Sequence, residues 1–185
     1  MTGKVNVGSV VGYVEGGYLR NLRNFNTVTG ESHVGGITGV LSKSYGNMAR
    51  IDNAYNAGEI GTFGVTDEVG GIVGRVSNTI VQSAANVGEV RGKNDVGGVA
   101  GSFSGVAERL ENIYNTGLVE GQDAVGGILG HLRRNGEILN GYHANDVHAT
   151  SARGGLVGKA ELSTGTSALP TTRSEERRVG KECRS

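Results

Sequence analysis

The sequence predicts an all-β protein, a parallel β-helix-like solenoid of about six coils of 27–35 residues, on three observations. A glycine-rich signature returns at a nearly fixed interval. The apolar residues inside it fall on a period of two, which is a strand and not a helix. The 185 residues contain 34 glycines and one proline, far more glycine than an ordinary packed domain uses. Disordered glycine-rich chains lack evenly spaced Val, Ile and Leu, which this chain carries throughout, so a repeat fold accounts for both facts.

The first signature reads VGSVVG from Val7, VGGITG from Val34, VGGIVG from Val69, VGGVAG from Val96, VGGILG from Val125 and RGGLVG from Arg153, at spacings of 27, 35, 27, 29 and 28 residues. Counted from its first residue, offset three is always aliphatic (Ile72, Val99) and offset seven always apolar (Val76, Phe103), while offset six is mixed or polar in most copies (Arg75, His131). Offsets three, five and seven are therefore expected to face inward. Offset five is glycine in every copy, Gly74 among them, so another part of the chain is expected to approach closely there. The Gly-Gly pair is expected to turn a corner. Offset four should face outward by alternation, yet it is apolar in five of six copies, Val73 and Leu129 included. It is either an exposed ridge for a partner, a reflection of strand propensity, or the mark of a different strand phase.

The second signature reads LRNLRNFNTV from Leu19, IDNAYNAGEI from Ile51, VQSAANVGEV from Val81, LENIYNTGLV from Leu110 and ILNGYHANDV from Ile138. Its sixth place holds Asn24, Asn56, Asn86, Asn115 and then His143, and stacked coils would let these amides bond along the axis; the alternative is that Asn is simply a good turn residue. Its eighth place holds Asn26, Gly58, Gly88, Gly117 and Asn145, the two residue types that most readily take a left-handed backbone, so a left-handed corner is expected there in every coil. Chain length varies mainly between the two signatures, around Met48 and Ala107, where loops should leave the constant frame.

The pattern resembles the GLUG repeat family, in Gly-Ile-Thr-Gly, Gly-Ile-Val-Gly, Gly-Val-Ala-Gly, Gly-Ile-Leu-Gly and Gly-Leu-Val-Gly and in the run from Asn112 to Gly117, across about residues 5 to 160; Ser9 departs from it in the first copy. The resemblance implies a β-helical repeat of large bacterial surface or secreted proteins, adhesins and peptidase-like proteins among them, located outside the cell or on its surface. It implies no chemistry by itself.

The solenoid is expected over residues 1–162, followed by a linker at 163–172. The last thirteen residues, 173–185, change composition abruptly and resemble a translated sequencing-library adapter, so they are expected to add nothing to the fold. Without them 13 basic residues (18 less five) face 15 acidic ones (18 less three), and the only cysteine, Cys183, is gone. Neither a disulfide framework nor an electrostatic footprint for nucleic acid is then expected. No apolar run is long enough to span a membrane, and the opening residues lack the apolar block of a secretory signal, which suggests a truncated reading frame.

Four motifs contain residue types that can carry chemistry. RGGLVGKA at Arg153 is one residue too short for a phosphate loop and has Ala160 where Ser or Thr belongs. His143 and His148 lack the neighbours a metal needs. Asp67, Asp95 and Asp123 lie one or two residues before a signature valine; they are either solvated turn residues or an acidic column for calcium or polysaccharide chemistry, with the first favoured. Tyr55, Tyr114 and Tyr142 share the fifth place of the second signature, with Ala85 between the first two, and are the candidate ligand contacts if they face outward and packing groups if they do not. No catalytic residue, cofactor or metal is expected. The expected function is a non-catalytic structural or adhesive module whose partners are a host or neighbouring-cell protein or glycan, or other domains of its own parent chain. The alternatives are a polysaccharide-active β-helix enzyme and a passive stalk of a larger surface peptidase.

Overall fold

The computed structural model describes residues 1–43, 46 and 49–161 and the backbone of 172–173. It is an all-β solenoid of stacked coils, the four complete ones each contributing one strand to each of four parallel sheets. In the coil that begins at Asp67 the strands are Asp67–Gly70 (sheet I), Val73–Ser77 (sheet II), Ile80–Asn86 (sheet III) and Val90–Arg91 (sheet IV). Sheets I, II and III have six strands and sheet IV has four. Equivalent residues stack in register: Val69 lies between Val34 and Val96, and Val76 between Leu41 and Phe103. Among the described residues no helix is long and apolar enough to cross a membrane.

Two apolar cores run along the axis. The larger lies between sheets II and III and holds Ile72, Val73, Val76, Val81 and Ala84 of this coil, and the smaller, between sheets I and IV, holds Val69 and Val90. Each fully buried aliphatic of this size contributes about 1.5–3 kcal/mol by leaving water. Between the cores sheets I and II meet backbone to backbone. A Cβ added at Gly70 would lie 2.1 Å from the Val73 carbonyl oxygen, and one added at Gly74 would lie 2.6 Å from His33 C and Val34 N of the preceding coil. The close approach expected at offset five is therefore real, although that glycine faces sheet I and not the aliphatic core.

This arrangement corrects the strand phase. Thr38, Val73, Ala100 and Leu129, all at offset four, are completely buried, with Val73 and Leu129 inside the larger core. They form no exposed ridge. The chain bends at Gly71 and Ile72, so the residue after the bend turns its side chain back inward and the simple alternation counted from offset zero is broken.

The left-handed corner is also elsewhere. None of Asn26, Gly58, Gly88, Gly117 and Asn145 has a positive φ. Left-handed residues form two other columns: Asn6, His33, Glu68, Asp95 and Ala124 in sheet I, with φ of 51–56°, and Asn21, Asn53, Ser83, Asn112 and Asn140 in sheet III, with φ of 52–57°. The strand register skips these residues, pairing Asp52 with Gln82 and Ala54 with Ala84 but not Asn53 with Ser83. Each coil bends at both places, and two consecutive side chains point outward at the sheet III bend. Ala124 adopts the same φ as Glu68 with no polar group to satisfy, so the conformation belongs to the coil and not to any one side chain.

Thr172 and Arg173 pair with Ile138 and Leu139 at the edge of sheet III, which makes Arg173 part of a rung. Residues 162–171 and 174–185, which include most of the expected linker and adapter-like tail, lie outside the described residues, as do Ser44, Tyr45, Asn47 and Met48 of the variable stretch.

Candidate functional site: an outward groove on sheet III

Sheet III buries one face and presents the other. Ile51, Ala54 and Asn56 point inward, while Asn53 and Tyr55 point outward from either side of Ala54. Repetition of this local pattern raises two parallel walls along the axis, with the bent backbone as floor. One wall is Asn21, Asn53, Ser83 and Asn112; the other is Arg23, Tyr55, Ala85 and Tyr114. They enclose an open groove of about 730 Å³. Tyr142 continues the second wall at 51 % exposure, stacked on Tyr114 with ring centroids 5.4 Å apart and planes 10° from parallel. At the other end Phe25 lies 6.0 Å from Tyr55 in a tilted arrangement. Tyr55, Tyr114 and Tyr142 are thus on the outer surface.

The amide wall is partly self-bonded. Asn53 Nδ2 donates to Asn21 Oδ1 at 2.7 Å, and Asn140 Nδ2 donates to Asn112 Oδ1 at 2.9 Å. Inside the fold a second amide column is complete: Asn24, Asn56 and Asn86 each donate to the next Oδ1, in Asn56, Asn86 and Asn115, at 2.7–2.8 Å, and Asn115 Nδ2 stands 3.0 Å from His143 Nδ1. The four asparagines are at most 2 % exposed. The axial amide ladder expected from the sequence is therefore formed. Burial holds His143 below the ordinary imidazole range, so it favours the neutral ring at the ladder's end.

A cluster of charge lies where sheets I and II meet. Arg75 donates to both oxygens of Glu68, at 2.5 and 2.6 Å, and His33 Nε2 and Arg133 Nη2 approach the same carboxylate at 3.3 Å each. Asp95 bonds Arg133 and receives His131 Nδ1 at 3.0 Å. Glu68 and Asp95 are each 6 % exposed. Burial alone would raise Glu68, but the bonded Arg75 guanidinium and its charge hold it below the usual carboxylate range. A general acid needs the opposite shift. His33 is lowered by burial and by Arg75. The cluster suits joining coils more than it suits proton transfer.

Of the three aspartates singled out from the sequence, Asp95 belongs to this buried column, whereas Asp67 accepts from Asn94 Nδ2 at 2.9 Å and Asp123 from the Ala152 amide at 3.1 Å in a neighbouring one. They do not converge as one acidic face. Among the described residues, no three His, Cys, Asp or Glu side chains are gathered so as to hold a metal ion. His143 sits on the ladder and His148 in the sheet IV strand Val147–Ala149.

Glu108 shows how the frame carries its loops. Its Oε1 accepts from the amides of Gly105 and Asn78, its Oε2 has no partner, and burial to 2 % exposure pushes the carboxyl above its usual range. A raised folded-state value means that its contribution is full below the ordinary carboxylate range and is lost as pH rises through the raised value. Glu108→Gln, which keeps the accepting oxygen and removes the charge, is expected to stabilise the chain by about 1 kcal/mol or more at pH 8 and by little at pH 4, in denaturant midpoints. Equal gains at both pH values would show that the carboxyl is not strained by burial.

No protein-family model, curated protein or solved structure matches this chain.

Proposed function

We propose that this chain is a non-catalytic binding module, an adhesive or structural segment of a bacterial surface or secreted protein that uses the groove of sheet III as its contact surface. The observation that carries the reading is the groove itself: two outward columns of amides and tyrosines, repeated coil after coil on a stacked frame. Such a surface offers extended contact with little ordering cost, because tyrosine presents a rigid amphipathic ring and the frame is already formed. The resemblance to GLUG repeats in GGIVG, GGVAG and GGILG supports the surface location. The rival reading, a polysaccharide-active enzyme, would draw on Glu68 and Asp95, but both are ion-paired with arginine, Glu68 with Arg75 and Arg133 and Asp95 with Arg133.

The test immobilises the full chain and measures retention of glycan- and protein-coated beads under flow, alongside release of reducing ends from a polysaccharide panel with and without calcium. Retention without release is expected. Release that disappears in Glu68→Gln or Asp95→Asn would replace this reading with the enzymatic one.

A further inference from the structure

The two walls of the groove are interrupted in the same coil. Ser83 stands where its neighbours have Asn53 and Asn112, and Ala85 stands where they have Tyr55 and Tyr114. One coil therefore lacks both an amide and a ring, and the vacancies are two residues apart on one strand. Strands stack about 4.8 Å apart, so the flanking residues on each wall are separated by about 10 Å, room for one inserted layer.

The amide wall fixes what that layer must offer. Both of its hydrogen bonds run in one direction, the later residue donating to the earlier: Asn53 to Asn21 and Asn140 to Asn112. This uses Asn53 Nδ2 and Asn112 Oδ1 on the sides away from Ser83, and leaves an acceptor, Asn53 Oδ1, and a donor, Asn112 Nδ2, on either side of the break. A secondary amide has its N–H and C=O pointing in opposite directions, so a single one would close the ladder, donating to Asn53 and accepting from Asn112. On the other wall, the space over Ala85 lies between two tyrosines, whose ring faces favour the C–H face of a saturated ring.

We propose, on the premise that the groove is the binding surface, that this coil is a subsite for an N-acetylhexosamine unit of a glycan. The sugar ring occupies the gap over Ala85 between Tyr55 and Tyr114, and its acetamido group replaces the missing rung over Ser83. The rest of the glycan leaves the gap in the plane of the sugar ring, across the groove and out to solvent, because equatorial linkages lie in that plane while Tyr55 and Tyr114 cover its two faces. A partner protein inserting an aromatic side chain would use the ring gap without needing the amide gap, which separates the two occupants.

The experiment titrates the full chain with chitohexaose and with cellohexaose, which has the same linkage but a hydroxyl in place of each acetamide. Chitohexaose is expected to bind at least about tenfold more tightly, because the unpartnered donor and acceptor reject the analogue lacking the amide. Ser83→Asn and Ala85→Tyr each fill one vacancy with the residue its neighbours already carry. Each is expected to keep or raise the thermal midpoint and to weaken chitohexaose by at least about tenfold. Equal affinity for the two sugars, no binding of chitohexaose, or unchanged affinity in the filled variants would overturn the proposal. If bead retention then persisted in both filled variants, the adhesive reading would stand with a different ligand. Cleavage of bound chitohexaose would keep the subsite and remove the non-catalytic reading.

Discussion

Gly88→Asn and Gly88→Val are both expected to destabilise the solenoid, by about 2–4 kcal/mol each, as overpacking against an immovable neighbour. A Cβ at Gly88 would lie 2.1 Å from the carbonyl oxygen of Gly58 and 2.9 Å from its carbon, and one at Gly117 would lie 1.9 Å from the Gly88 oxygen. These are backbone atoms of adjacent rungs, and they cannot retreat without breaking the pairing on either side. The corner is held down as well, because Asn86 Nδ2 donates to the Gly88 carbonyl at 2.8 Å. A left-handed corner would predict a different outcome, with asparagine nearly neutral and valine costly. Denaturant midpoints of the two variants and of Gly88→Ala decide it. All three should fall together, and a wild-type midpoint for Gly88→Asn would mean that the coil spacing here is not as tight as the structure has it.

The two asparagines in that column are what make a left-handed corner plausible from the residue types. Asn26 lies in the first coil, and its carbonyl oxygen is what a Cβ at Gly58 would meet at 2.0 Å, so this contact constrains Gly58 and not Asn26. Asn145 follows His143, which replaces the amide that ties the corner in other coils, so its side chain is exposed and bonds the Thr116 carbonyl at 2.8 Å. Glycine is thus required at Gly58, Gly88 and Gly117, each of which would drive a Cβ into the corner carbonyl of the preceding coil. The residue types alone suit both explanations.

Other features were legible because they depend on spacing. The period, the inward residues at offsets three and seven, and the column Asn24, Asn56, Asn86, Asn115 all follow once equivalent residues are superposed at a coil's length. The left-handed column of sheet I was not legible, since His33, Glu68, Asp95 and Ala124 have little in common as side chains, and nothing in their chemistry announces a positive φ; that of sheet III, asparagine at four of five places, carried a signal. The charge cluster was hidden for another reason. Arg133 meets Glu68 from 65 residues away, passing over a whole coil, and Asp95 of the adjacent coil from 38. The groove was half legible: Tyr55, Tyr114 and Tyr142 were aligned by the repeat, but their outward direction was fixed only by the bend at Asn53, and Asn53, Ser83 and Asn112 opposite them were missed. The signal that could have found them was the third place of the second signature, which is asparagine in four of five copies.

Asn86→Leu is expected to cost about 3–5 kcal/mol, since leucine matches the size but supplies no polar atom to a fully buried ladder. Asn86 accepts from Asn56 Nδ2 at 2.7 Å and donates to Asn115 Oδ1 and the Gly88 carbonyl at 2.8 Å each, so three bonds vanish together. Asn56 and Asn115 retain their own contacts to Gly58 and Gly117, which limits the damage, but the Gly88 carbonyl loses its side-chain donor. Leucine would also crowd Gly71, where even an added Cβ would lie 2.4 Å from the Asn86 side-chain carbon. Asn86→Asp separates the ladder's hydrogen bonding from its volume. The carboxylate keeps an acceptor toward Asn56, turns an acceptor toward Asn115 Oδ1, and carries an unpaired charge into a dry site. Its folded-state pKa must then be raised, so its share of stability is present below the ordinary aspartate value of about 3.9 and is lost as pH rises. The aspartate variant should be the less stable of the two at pH 7 and should recover part of the difference below pH 4, where a protonated carboxyl can again donate. Denaturant midpoints of both variants across that range provide the check. A leucine variant as stable as wild type would show that the axial amides fill space without bonding the coils together.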